Sequence, residues 1–267
     1  MTEAERHDAW QAGDSYDIYM GRWSRQIAPL FLKWLNPDEG LHWLEVGCGT
    51  GALTAAIVDQ CRPGSLIAID PSEGFIRKAR VNVPDPRVEF RVGDAEALSL
   101  TTDSRDAAAS ALVLNFVADR EAAIGEMKRM VRPGGLVGFY VWDYPNGGIE
   151  FMRRFWTAAV ALDPNARDLT EDRRFPFCTS EGLIALARKG GLHAAECISI
   201  EVPTVFKDFE DLWRPFTLGA GPAPGYCASL EPDARERLRA KLEQTVSPEP
   251  DGSIRMKARA WAVKAVV

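Results

Sequence analysis

The stretch Leu44-Glu45-Val46-Gly47-Cys48-Gly49-Thr50-Gly51 decides how this chain is read. An apolar run over 41–46 predicts a strand. It stops at three glycines in alternate positions, and 53–60 then predicts a helix. Glycine lets the backbone turn sharply and lets a ligand approach the main chain with no Cβ in the way. The first turn of the following helix presents unpaired N–H groups. Strand, glycine turn and helix together make a ligand loop.

Two ligand classes compete for it. Gly47-Cys48-Gly49-Thr50-Gly51-Ala52 satisfies the dinucleotide pattern G-x-G-x-x-[G/A], and Asp70 follows at about the 20-residue distance of a ribose-binding acid. That reading gives an NAD(P)-dependent oxidoreductase. Glu45, two residues before the first glycine, points elsewhere: a carboxylate at the loop mouth repels a pyrophosphate and attracts a cation. A Glu45 that merely ties down loop amides is compatible with either ligand.

Outward from the loop the chain alternates. Strands are predicted at 66–69, 88–92, 108–114 and 136–142, and helices at 73–80 and 120–130. Strand–helix alternation implies parallel pairing with helices on both faces of the sheet. The continuous apolar character of 111–114 and 136–141 fits strands buried on both sides. Upstream, Ile27, Leu30, Phe31 and Trp34 recur at helical spacing, so 1–40 reads as lead-in helices closed by the turn cluster Asn36-Pro37-Asp38-Glu39-Gly40.

After Tyr144-Pro145-Asn146-Gly147-Gly148 the rhythm breaks. Helices are predicted at 150–161, 179–189, 206–218 and 232–244, a Gly/Pro-rich loop at 219–225, and strands at 195–202 and 254–266. The core then comprises 41–146, 178–204 and 251–267. Segments 147–177 and 205–250 are read as two insertions folding into a cap over the carboxyl edge of the sheet, where open α/β sheets bind ligands.

Composition narrows the class. Of 267 residues, 46% are hydrophobic and 26% charged, and the net charge is −6. No apolar run approaches the ~20 residues of a membrane helix, and residues 1–10 are too polar for a signal peptide. Basic residues sit beside acids, as in Glu126-Met127-Lys128-Arg129, so no nucleic-acid partner is expected. Five cysteines without C-x-x-C spacing and three scattered histidines predict reduced thiols, no metal site and a cytoplasmic protein.

Four segments in register carry a family resemblance. The glycine loop resembles motif I of the class I S-adenosylmethionine-dependent methyltransferases, E/D-x-G-x-G-x-G. Ile67-Ala68-Ile69-Asp70-Pro71-Ser72 resembles their second strand with its ribose acid, Gly93-Asp94-Ala95-Glu96 their adenine loop, and Arg132-Pro133-Gly134-Gly135-Leu136 the turn entering strand five. The N-terminal Tyr16-Asp17-Ile18-Tyr19-Met20-Gly21-Arg22-Trp23-Ser24 resembles the lead-in of the small-molecule, ubiquinone/menaquinone-biosynthesis-like branch.

The resemblance implies a Rossmann-like α/β fold with a seven-stranded, mostly parallel sheet, and S-adenosyl-L-methionine as cofactor. Its ammonium and sulfonium suit Glu45. Cofactor contacts are then expected from Tyr19, Arg22, Glu45, Gly47, Cys48, Gly49, Thr50, Gly51, Asp70, Pro71, Ser72, Asp94, Ala95, Asn115 and Phe116. Within this set Asp70 would hold the ribose diol, Asp94 the adenine amino group and Arg22 the cofactor carboxylate. The competing readings are a turn-forming Asp94, a strand-capping Asn115, and Tyr19 and Arg22 packed in an ordinary lead-in helix.

A sulfonium is an activated methyl donor, so alignment and exclusion of water suffice, and no catalytic residue is assigned. Asp143, Tyr144 and Tyr226 are the nearest candidates for a base, each read more readily as structural. Asn115-Phe116-Val117-Ala118-Asp119 lacks the N/D-P-P-Y run of amino-nucleobase methylases. No acidic metal cluster or paired-glutamate loop stands in the sequence, which leaves a small-molecule acceptor. Aromatic residues of the insertions, such as Trp156, Trp213, Phe216 and Tyr226, would line its pocket or form the cap's core. A cofactor-binding protein without catalysis is the remaining alternative.

Overall fold

The computed structural model describes residues 13–219 and 221–267, so the expectations for residues 1–10 and His7 fall outside it. The chain divides into two units. One comprises 24–142, 177–200 and 260–267. The other comprises the described residues up to 23, 143–176 and 201–259, so it draws on both segments read as insertions.

Seven strands form one sheet: β1 (His42–Val46), β2 (Ser65–Asp70), β3 (Val88–Val92), β4 (Arg105–Ala111), β5 (Val131–Trp142), β6 (Glu196–Phe206) and β7 (Ile254–Val266). Their spatial order is β3-β2-β1-β4-β5-β7-β6. The first five pair in parallel, and β7 runs antiparallel to β5 from Leu136↔Val266 to Trp142↔Ala260. The central strands are buried on both faces, and β4 manages this with small side chains: Ala107, Ala108 and Ala109 are fully enclosed.

The helices follow from local chemistry. In α1 (Arg22–Leu35), Ile27, Ala28 and Phe31 form a fully buried stripe. The Phe31 ring lies 4.8 Å from that of Tyr140. Gly138 of β5 makes room for it, since a Cβ there would sit 2.9 Å from Phe31 Cζ. The loop helix α2 (Ala52–Ala56) continues into a wider turn over Ile57–Cys61. Helix α3 (Glu73–Asn82) is capped by Ser72, whose hydroxyl accepts the Phe75 N–H. Asp119 caps α4 (Arg120–Met130) and Thr179 caps α6 (Ser180–Lys189) in the same way. Helix α5 (Glu150–Leu162) lies between them in sequence.

Several expected boundaries are corrected. Strand β4 ends at Ala111 rather than 114, because Leu112 adopts φ +61 and a 3₁₀ turn follows over Leu114–Phe116. The Arg132–Gly135 turn lies inside β5, at a register shift between Arg105 and Ala107. The aromatic stretch 206–218 is not one helix. It breaks into α7 (Phe209–Trp213), started by the Asp208 cap, and a 3₁₀ turn over Arg214–Thr217 with Pro215 at its second position. The 219–225 loop is shorter than expected, because Pro222 and Pro224 open α8 (Pro222–Ser229), and α9 (Pro232–Glu243) follows.

Candidate cofactor site

Strand order reverses between β1 and β4, which makes their carboxyl ends a topological switch point. Gly47 leaves β1 there with φ +74, and a Cβ would run into the Val113 side chain just past β4. The Gly47 and Cys48 N–H groups both donate to Ile69 O, at 2.7 and 2.9 Å. Gly51 starts α2 with φ +92, and a Cβ there would press Val83 at 3.1 Å. Gly49 differs. Its φ is +53, yet a Cβ would meet nothing among the described residues within 4 Å. Two glycines answer to the protein's own packing, and the third presents bare backbone with no described residue against it.

Asp70, at the end of β2, is 5% exposed. One carboxylate oxygen accepts the Gly49 N–H and the other the Ser72 N–H, each at 2.9 Å. Burial raises its pKa, and these two donors oppose the shift. The side chain therefore fixes the loop as well as offering its remaining lone pairs outward. The 93–96 loop is tied to the same place, since Gly93 N donates to Asp70 O at 3.2 Å. Within it Asp94 is exposed and accepts the Glu96 N–H at 2.9 Å, the turn-forming geometry. Ala95 is half-buried beside it and Pro71 is exposed.

Glu45 is 1% exposed. Its Oε2 accepts the Thr54 hydroxyl at 2.6 Å, while Oε1 has no hydrogen-bond partner among the described residues. Burial above all, helped by the Asp70 charge and opposed by the Thr54 bond, pushes its pKa up to about 8. Without a ligand the carboxyl is thus largely protonated at neutral pH, and its repulsion of a pyrophosphate is weaker than the sequence implies. Discrimination takes another form: a nearby cation draws the proton off and stabilises the carboxylate, and an anion opposes this.

Asn115 is 1% exposed, and neither atom of its side-chain amide has a partner among the described residues. Its carbonyl accepts from Arg120 at 3.4 Å. A buried amide without partners costs about 1–3 kcal/mol per group, so a ligand that satisfies it gains correspondingly. Phe116 follows at 37% exposure. Thr50 is buried, with its carbonyl accepting from Asn82 at 2.9 Å. Burial pushes the Cys48 thiol well up, which makes it a poor nucleophile.

Tyr19 and Arg22 fall in the other unit. Tyr19 is 2% exposed between the rings of Phe151 and Phe216. Arg22 forks onto Asp211 at 2.9 and 3.1 Å, donates to Val205 O and lies 4.4 Å from the Trp23 ring centroid. Sequence reasoning missed Asp211, 189 positions away. It also missed Thr54, which only the register of α2 brings under Glu45. Of the base candidates, Asp143 is fully buried and bound by Arg259 and Asn146. Burial, with Asp163 nearby, pushes Tyr226 up to about 12. Among the described residues no group of His, Cys, Asp and Glu gathers to hold a metal, and no helix is long and apolar enough to cross a membrane.

A bare glycine backbone, a buried carboxyl with an orphan oxygen and a buried amide without partners fit a ligand carrying polar and cationic groups. Comparison with known proteins agrees. Residues 44–139 match the family model described as "Methyltransferase domain". The chain is 34% identical over 153 residues to an uncharacterized methyltransferase of Mycobacterium tuberculosis, covering 57% of this chain and 60% of that one. It is 30% identical to the malonyl-[acyl-carrier protein] O-methyltransferase of Geobacter sulfurreducens, covering 66% and 65%. Several of the curated relatives it matches are spanned over only 36% to 60% of their length. A phosphoethanolamine N-methyltransferase of Haemonchus contortus, solved with S-adenosyl-L-methionine, shares the fold. Its TM-score is 0.62 at 16% identity, over 100% of this chain and 60% of that one. Residues 44–139 thus carry a methyltransferase domain, and the chain is similar to S-adenosyl-L-methionine-dependent methyltransferases.

Proposed function

We propose that this chain binds S-adenosyl-L-methionine at the loop 47–51 and transfers its methyl group to a small-molecule acceptor. The observation that carries the reading is Gly49, held in place by Asp70 through its own N–H while a Cβ on it would meet nothing among the described residues within 4 Å. The bound cofactor supplies a methyl group already activated on a sulfonium. The chain's own residues then bind, orient and exclude water. Asp70 accepts from the ribose diol with the lone pairs that Gly49 and Ser72 leave. Asp94 and Ala95 address the adenine edge. Glu45, once ionised, balances positive charge near the loop, and the Asn115 amide satisfies polar atoms that Phe116 screens from solvent.

In this reading the acceptor is held by residues of 147–177 and 205–250. No proton acceptor is assigned, because alignment and desolvation supply the rate. Incubation of the purified protein with S-adenosyl-L-methionine and a pool of small molecules tests the function. The expected result is S-adenosylhomocysteine formed only when acceptor is present. Tight cofactor binding with no turnover across chemically diverse acceptors would favour a non-catalytic binding protein instead.

A further inference from the structure

The protein satisfies only one oxygen of the buried Glu45 carboxyl. Oε2 accepts the hydroxyl of the fully enclosed Thr54 at 2.6 Å, and Oε1 has no hydrogen-bond partner among the described residues. The register partners of Glu45 on the flanking strands are Ala68 and Ala109, which offer it no polar side chain. Either protonation state is therefore left short. The carboxylate is a buried charge without a counter-ion, and the acid with its proton on Oε1 has an O–H without an acceptor.

The titratable groups that face it do not supply the missing partner. Burial raises the Glu45 pKa, and the charge of Asp70 at the end of β2 adds to this. Burial raises the pKa of Asp70 as well, yet the Ser72 and Gly49 N–H groups donate to its two oxygens and hold it as a carboxylate. The Cys48 thiol is pushed well up by burial and stays neutral. Thr54 acts in the other direction, since its hydroxyl and its N–H both favour the Glu45 carboxylate. A positive charge brought to the loop mouth tips the balance to the ionised form. Both oxygens are then accounted for, with Thr54 on Oε2 and the ligand's charge compensating Oε1.

We infer that Glu45 gives up its proton to solvent when the cofactor's ammonium binds at 47–51, and that Thr54 is the positioning residue that holds the resulting carboxylate. This rests on the S-adenosyl-L-methionine reading of the loop. In the competing account Glu45 and Thr54 only brace the loop, with a fixed protonation state. That account predicts no proton exchange on binding.

Titration calorimetry of the full chain with S-adenosylhomocysteine, repeated in buffers of differing ionisation enthalpy, reads the protons released per ligand bound. With the Glu45 pKa pushed to about 8 by burial, release close to one proton is expected at pH 7 and about half as much at pH 8. Thr54→Val is expected to weaken the ligand about tenfold. It should also raise the release at pH 8 toward one proton, because a carboxyl without its hydroxyl donor stays protonated to higher pH. Thr54→Ser is expected to restore both values. Should Thr54→Val fail to fold, Glu45→Gln decides: it is expected to bind without releasing a proton. Binding with no proton release in the parent protein, a release that Glu45→Gln leaves unchanged, or a Thr54→Val profile identical to the parent's would overturn the inference and leave the cofactor reading standing. No binding of S-adenosylhomocysteine at either pH would overturn that reading, and the inference with it.

Discussion

The glycine-loop edge of the parallel sheet and the aromatic unit are built by different means. At the loop, backbone does the holding: N–H groups of Gly47, Cys48 and Gly49 go to Ile69 O and Asp70, all within 23 residues of sequence. In the aromatic unit, side chains do it across long separations. Phe155 stacks on Phe216 at 4.2 Å, and Arg22 pairs with Asp211. A site made of local backbone leaves a readable motif, whereas one made of distant rings leaves only composition.

The largest effect belongs to Glu45. Its folded-state pKa is raised from 4.5 to about 8. The unfolded chain therefore ionises it first, and stability is fully present below pH 4.5 and lost as pH rises toward 8. Each unit of separation corresponds to about 1.4 kcal/mol. Glu45→Gln removes this loss, so its stability relative to the parent protein should climb by several kcal/mol between pH 4.5 and 8, read from denaturant melts without ligand. A constant difference across that range would show that Glu45 ionises normally.

Next comes Phe155→Ala. The ring is fully buried, and its loss should cost about 3–5 kcal/mol of stability in urea titration. A cost under about 1 kcal/mol would mean that the aromatic unit repacks freely. Asp70→Ala should weaken S-adenosylhomocysteine by about 1.5–3 kcal/mol in calorimetry, the scale of a charged hydrogen bond. Because Asp70 also anchors the Gly49 and Ser72 amides, some global stability should be lost too. Unchanged affinity in the folded variant would remove Asp70 from the site. The smallest effect is expected of Tyr19→Phe: its hydroxyl is buried with no partner among the described residues. Removing it should leave stability within about 1 kcal/mol or raise it slightly.

How much was legible follows from the same contrast. The alternation of apolar runs and amphipathic segments located β1, β2, β3, α3 and α4 closely, because each is fixed by its own periodicity and cap. The glycine loop and Asp70 were legible because strand ends and positive φ demand particular residue types. Strand β4 lies three residues earlier than the sequence predicts, 105–111 against 108–114, because Leu112, apolar like the strand before it, takes a left-handed conformation that ends the strand. The 206–225 stretch departs from the expectation because the Asp208 cap and the prolines at 215 and 222, rather than apolar spacing, decide where its short helical segments begin. The Thr54 hydroxyl on Glu45 and the pairing of Arg22 with Asp211 depend on tertiary register, to which no local pattern is sensitive.

The central claim is that the loop 47–51 accepts S-adenosyl-L-methionine rather than a dinucleotide. Titration calorimetry of the intact chain and of Gly49→Val, with S-adenosyl-L-methionine, S-adenosylhomocysteine and NADH, tests it most directly. Saturable binding of the first two to the parent protein, none of NADH, and loss of both in folded Gly49→Val is the predicted result. NADH binding with no response to either S-adenosyl compound would contradict it.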